Sequence, residues 1–164
     1  EWIEYNNISD IMNLTADILR AIKIEPILQI SNINIPKLIS TELNISLDIL
    51  KNGEISELLK LNCDWLDSLL RVKDIKSLEN IIEKVPNILK KELETLLEKS
   101  REVNYSNIII APMYYGSLKY YNGVYYRVID KNLVLCRGGM YEADGISSLG
   151  FALYTDNLLK MLEG

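Results

Sequence analysis

Three segments gather residues able to hold a small ligand: Ser117-Leu118-Lys119-Tyr120-Tyr121-Asn122-Gly123, then Gly138-Gly139-Met140-Tyr141-Glu142, then Gly150-Phe151-Ala152-Leu153-Tyr154-Thr155-Asp156-Asn157. Successive side chains of a strand alternate between faces, so Tyr120 and Tyr121 point to opposite sides of a strand entry. One ring can join a core while the other lines a pocket, its hydroxyl able to hold an amino or imidazole nitrogen. Tyrosine-rich sheets also serve simply as core, and that reading stands beside the first. Glycine inside a strand costs packing and backbone entropy, so Gly138-Gly139 marks a bulge, a plain sheet bend, or a close approach by a ligand or another chain. Tyr120, Tyr121, Gly138 and Gly139 are therefore candidate contacts, with Gly123 and Tyr141 in the same segments.

What the chain lacks narrows the chemistry. It has no histidine, which removes the usual general base and any serine or cysteine nucleophile that relies on imidazole. Carboxylates or tyrosines would have to move any proton. Cys63 and Cys136 lie far apart and outside any CxxC pattern, so neither a disulfide framework nor a zinc site is expected, and no metal or cofactor is called for. The net charge of -5 repels nucleic acid on average. Lys84, Lys90 and Lys91 alternate with Glu83, Glu92 and Glu94, the mark of a solvated helix face.

The elements that must carry these residues can be read from periodicity. Ile8, Ile11, Met12, Ile18, Leu19 and Ile22 recur at helical spacing behind a cap at Asn7 or Ser9. Ile24 to Ile30 follows as a β-branched run with Pro26 near its start, suited to an edge strand or to a strand's first residues. Pro36 opens a short helix through Leu43. From Ile45 to Lys99 the pattern is helical, broken at Asn52-Gly53, Asn62-Cys63-Asp64, Lys73-Asp74 and Pro86-Asn87. This stretch is either a partner-binding subdomain or an insertion that packs on itself.

Beyond Val103 the composition turns to tyrosine and the period to that of strands. Asn107 to Ala111, Gly123 to Ile129, Leu133 to Cys136 and Ser147 to Leu153 are predicted strands, with an Asp130-Lys131-Asn132 hairpin turn and a last helix from Asp156 to Leu162. Short hairpins make only antiparallel pairs, so an α+β fold with an antiparallel sheet and flanking helices is expected. The 164 residues suffice for one core that buries roughly 70% of the extended chain's surface. No apolar run nears the roughly 20 residues that span a bilayer, and Glu1-Trp2-Ile3-Glu4 does not open a signal peptide, so a cytoplasmic location is expected.

The order of the three segments resembles the second half of the class II histidyl-tRNA synthetase core. There a segment R-G-L-D-Y-Y-T-G precedes G-G-R-Y-D, and G-F-x-x-G-x-[ED]-R forms the third class II motif. Gly116 to Gly123, Gly138 to Glu142 and Gly150 to Asn157 match them in order and spacing. The resemblance implies a class II sheet built from residues 1–44 and 103–164, with 45–102 as a helical insertion. It also implies a histidine pocket on Tyr121 and Tyr141.

The departures change the implied role. Gly116, Met140 and Asn157 fall where the family carries arginines, and Lys119 falls on its aspartate. Phosphoryl and adenylyl transfer depend on such cations, so aminoacylation is not expected. The pattern is similar to the regulatory subunits of ATP phosphoribosyltransferase. That resemblance implies a non-catalytic homodimer within a hetero-oligomer, partnered by the short catalytic subunit and taking part in histidine feedback on the first step of histidine biosynthesis. A divergent histidyl-tRNA synthetase fragment, or a class II-like interaction module without ligand binding, are the alternatives. The missing initiator methionine and first two class II motifs lead to the expectation of a longer protein.

Overall fold

The computed structural model describes residues 7–116, 121–143 and 145–163. Helix α1 (Ile8–Ala21) is capped by Asn7, whose side chain accepts from the Ser9 amide. Its apolar stripe buries Ile8, Ile11, Met12, Ala16 and Leu19, each large side chain contributing roughly 1.5–3 kcal/mol when withdrawn from water. Pro26 sits just before β1 (Ile27–Asn32), where its missing amide costs the sheet nothing. A helical stretch follows: α2 (Asn34–Glu42), α3 (Leu47–Lys51), α4 (Ile55–Leu59), α5 (Asp64–Leu70), α6 (Ile75–Ile82) and α7 (Asn87–Arg101). The breaks between α3 and α7 fall at the Gly, Asn, Asp and Pro positions that predict them. At α6 a reciprocal capping box joins Asp74 and Ser77, which satisfies two orphan donors at once.

Four further strands and a helix complete the chain: β2 (Ile108–Ile110), β3 (Tyr121–Asp130), β4 (Leu133–Ala143), β5 (Ile146–Leu153) and α8 (Thr155–Glu163). The sheet order is β2-β1-β3-β4-β5. Three of its pairs are antiparallel, but β1 and β2 run parallel, with Leu28 opposite Ile108 and Ile30 opposite Ile110. The sheet is thus mixed, and the expectation of a purely antiparallel one is corrected at this edge. A parallel pair needs a long crossover, and α2 to α7 supply it. β1 is therefore an inner strand, flanked by β2 and β3.

Helices α1, α7 and α8 pack against the sheet, α1 over the face that carries Tyr126. Asn32 ties the end of β1 to α7, its amide donating to the Glu92 carboxylate at 2.7 Å. On this covered face Leu28, Ile30, Val124, Tyr126 and Val128 are buried. Two irregularities decide which residues share a face. Val128 pairs with Cys136 but Ile129 pairs with Val134, so β4 carries Leu135 as one extra residue. Tyr121 pairs with Tyr141 and Tyr125 with Gly139, so four residue steps on β3 span two on β4. Gly123, at φ +111, takes the backbone conformation that this contraction requires.

Candidate functional site

The face of the sheet away from α1 holds the candidate site. The contraction at Gly123 draws Tyr121 and Tyr125 together, and their rings stack with centroids 5.3 Å apart and planes 14° apart. A Cβ on Gly139 would lie 2.6 Å from Tyr121 Cδ1 and 2.7 Å from Tyr125 Cβ. One on Gly150 would meet Tyr141 Cε1 at 3.2 Å. These glycines seat tyrosines of the same chain. Register is regular across Gly138 and Gly139, so the doublet is not the bulge; the bulges lie at Leu135 and around Gly123.

Tyr121, Gly139 and Tyr141 therefore come together on one face. Gly138 belongs to the other, where Tyr126 fills the space above it. Gly123 sits at the contraction, with Met140 Sδ 3.6 Å from where its Cβ would be. Tyr120 lies outside the described residues.

Burial holds the Tyr125 hydroxyl well above the usual phenol range. It donates to the Tyr114 carbonyl at 2.6 Å and accepts from the Gly116 amide at 2.8 Å, fastening the segment after β2 onto the sheet. On the covered face the Thr15 and Tyr126 hydroxyls are hydrogen-bonded at 2.6 Å, and both reach the Ile11 carbonyl, Thr15 at 3.0 Å and Tyr126 at 3.4 Å. Desolvation raises Tyr126 above its ordinary value and pushes the neighbouring Cys136 thiol up to about 12. Neither is a nucleophile or base at neutral pH.

An open cleft of about 410 Å³ lies beside the stacked tyrosines, lined by Tyr121, Arg137, Tyr141, Gly150, Ala152 and Tyr154. Arg137 and Arg127 are site residues that the sequence reading passed over. They stand directly opposite each other on β4 and β3. Arg127 donates to Gln29 Oε1 at 2.9 Å and to the Tyr114 hydroxyl at 2.9 Å, and its guanidinium lies 3.9 Å from the Tyr114 ring centroid. No sequence signal pairs them, because unbroken register from the hairpin would set Arg127 opposite Cys136.

The three positions where the resemblance places catalytic arginines are committed elsewhere. A Cβ on Gly116 would sit 3.0 Å from Tyr125 Cε2. Met140 packs against the core, and the Asn157 amide donates to the Val134 carbonyl at 2.8 Å, pinning α8 to β4.

No family model matches the chain. Two curated relatives do. The ATP phosphoribosyltransferase regulatory subunit of Wolinella succinogenes is 34% identical over 92% of this chain and 52% of its own length. That of Helicobacter hepaticus is 30% identical over 99% of this chain and 58% of its own. The chain is similar to ATP phosphoribosyltransferase regulatory subunits over most of its length. It spans about half the length of these relatives.

Solved structures agree on the fold. An ATP phosphoribosyltransferase regulatory subunit/histidyl-tRNA synthetase from Bacillus halodurans superposes with a TM-score of 0.73 at 17% identity, over 98% of this chain and 51% of that one. The ATP phosphoribosyl transferase (HisG:HisZ) complex from Thermotoga maritima gives 0.64 at 13% identity, over 92% and 62%. The fold is thus of class II tRNA synthetase type, α+β as expected, and shared with the regulatory subunits. Among the described residues, no helix is long and apolar enough to cross a membrane.

Proposed function

We propose that the chain is part of a non-catalytic regulatory subunit that binds the short catalytic subunit of ATP phosphoribosyltransferase and adjusts its activity in histidine biosynthesis. The observation that carries this reading is the similarity to subunits of that name over more than nine-tenths of the chain. The site supports it. Gly116 is closed off by Tyr125 and Asn157 is tied to Val134, so two places that a synthetase needs for cations have no room or no free group for them.

Under this reading the cleft by Tyr121 and Tyr141 takes the regulatory ligand, histidine, with Gly139 beneath, while Gly123 shapes the strand and Gly138 faces Tyr126 on the other side. The subunit is cytoplasmic and works as a homodimer inside a hetero-oligomer, with residues 1–44 and 103–164 as its core and 45–102 as an insertion. Control requires that a ligand bind two assembly states unequally.

Reconstitution tests the reading. The whole protein is mixed with a short phosphoribosyltransferase chain, and turnover is followed with and without histidine. A complex whose activity rises on mixing and falls with histidine is expected. Two chains that neither associate nor alter turnover would sink it.

A further inference from the structure

Arg127 and Arg137 are cross-strand neighbours on the site face of β3 and β4, and like charges directly opposite each other repel. An acidic chain has many carboxylates with which to relieve this. Arg20 pairs with Asp17 and Arg101 with Glu79. No carboxylate among the described residues pairs with either arginine of the sheet. The partners of Arg127 among the described residues are neutral, Gln29 and Tyr114, and they orient its fork without cancelling its charge. Among the described residues Arg137 meets only the ring of Tyr154, 6.0 Å from the centroid. The residues sharing this face, Gln29, Ser31, Gly139, Ser148, Gly150 and Ala152, carry no charge.

Both arginines are half-buried beside concave surface. Arg137 lines the 410 Å³ cleft; Arg127 stands behind it, at a hollow of only about 10 Å³ that shares Tyr121 and Arg137 with the cleft. Guanidinium forks match the geometry of oxyanions and bind them with charge-assisted hydrogen bonds. A cation entering the cleft would meet the charge of Arg137, with Arg127 behind it, and no carboxylate among the described residues that line it.

We propose that this sheet face is an oxyanion site, in which Arg137 and the pre-oriented Arg127 together hold a carboxylate or phosphate group of a small ligand. The inference stands on the arginines and does not require that the chain regulate a transferase. An amino acid bound against Tyr121 and Tyr141 would present its carboxylate to Arg137; a phosphorylated ligand would use the same pair.

Calorimetric titration of the protein alone, at low ionic strength and with no transferase present, tests the site separately from the regulatory reading. The probes are succinate, inorganic pyrophosphate and, as a cation, methylammonium. Saturable binding of at least one anion and none of methylammonium is expected, with the tighter of the two anions telling carboxylate from phosphate ligands. Arg137→Gln should weaken it about tenfold, the loss of one charge-assisted contact, and Arg137→Lys should retain part of it. Lys90→Gln on α7 should change nothing. Absence of saturable anion binding, an Arg137→Gln variant that is folded and binds as the parent does, or an equal loss in Lys90→Gln would each overturn the proposal.

Discussion

The Cβ that Gly138 lacks would lie 2.5 Å from Tyr126 Cε1, directly across the β3–β4 ladder. Tyr126 is fully buried, so its ring cannot swing aside into solvent. Gly138→Ala should therefore destabilise the fold by about 1–3 kcal/mol, the usual cost of overpacking, read as a lower urea midpoint. Relief of that loss in Gly138→Ala/Tyr126→Leu would assign it to this one contact.

Thr15 and Tyr126 form a buried hydroxyl pair between α1 and the sheet. Thr15→Val removes the nearest partner of the buried phenol, which keeps only the longer bond to the Ile11 carbonyl, and should cost about 1–3 kcal/mol. Adding Tyr126→Phe should recover part of the loss. A double-mutant cycle in chemical denaturation measures this, and strict additivity would mean that the pair is not coupled.

Desolvation raises the hydroxyls of Tyr125 and Tyr126 and the Cys136 thiol. The folded state favours their neutral forms, so stability should fall as pH climbs past their unfolded values, 9.0 for the thiol and 10.0 for the phenols. Ultraviolet titration should show these two tyrosines ionising only as the protein unfolds. In the native protein Cys63, which is half-buried, should react with a thiol reagent well before Cys136.

At the start of α1, Glu102 accepts from the Ser9 hydroxyl and from the Asn7 amide, and these bonds hold its carboxyl below the usual value of 4.5. Its contribution is present above that value and is lost as pH falls through the lower folded one. Glu102→Gln should flatten the acid limb of a stability–pH profile. Because the side chain is 38% exposed, the change at neutral pH should stay below about 1 kcal/mol.

If histidine occupies the cleft, Tyr141→Phe should weaken its binding by about 0.5–1.5 kcal/mol through the lost hydroxyl, while Thr41→Ala on α2 should leave it unchanged. Calorimetry reads both. An unaltered affinity in Tyr141→Phe would move histidine away from this strand.

Much of the architecture was legible because its signals are local. Asn7, Gly53, Asp74 and Pro86 act within a turn of where they stand, and the α1 stripe shows its own period. The parallel β1–β2 edge was not legible, since the crossover through α2 to α7 only makes it possible and packing selects it. In the site, Tyr121 and Tyr141 were recognisable from their motifs. Arg127 and Arg137 were not, because each looks like an ordinary strand cation until its cross-strand partner is known.

The sequence by itself determined which residues were available: tyrosines, paired glycines, no histidine, and glycine, methionine and asparagine where a synthetase needs arginine. Only the tertiary structure decided which of them meet. Asp130 pairs with Leu133 at the hairpin end, and unbroken register from there would set Arg127 opposite Cys136 and Tyr126 opposite Arg137. The extra residue Leu135 shifts the register by one, and in a strand one residue exchanges the faces. That shift buries Cys136 with Tyr126 under α1, stands Gly138 against the Tyr126 ring, and places the two arginines together beside the cleft.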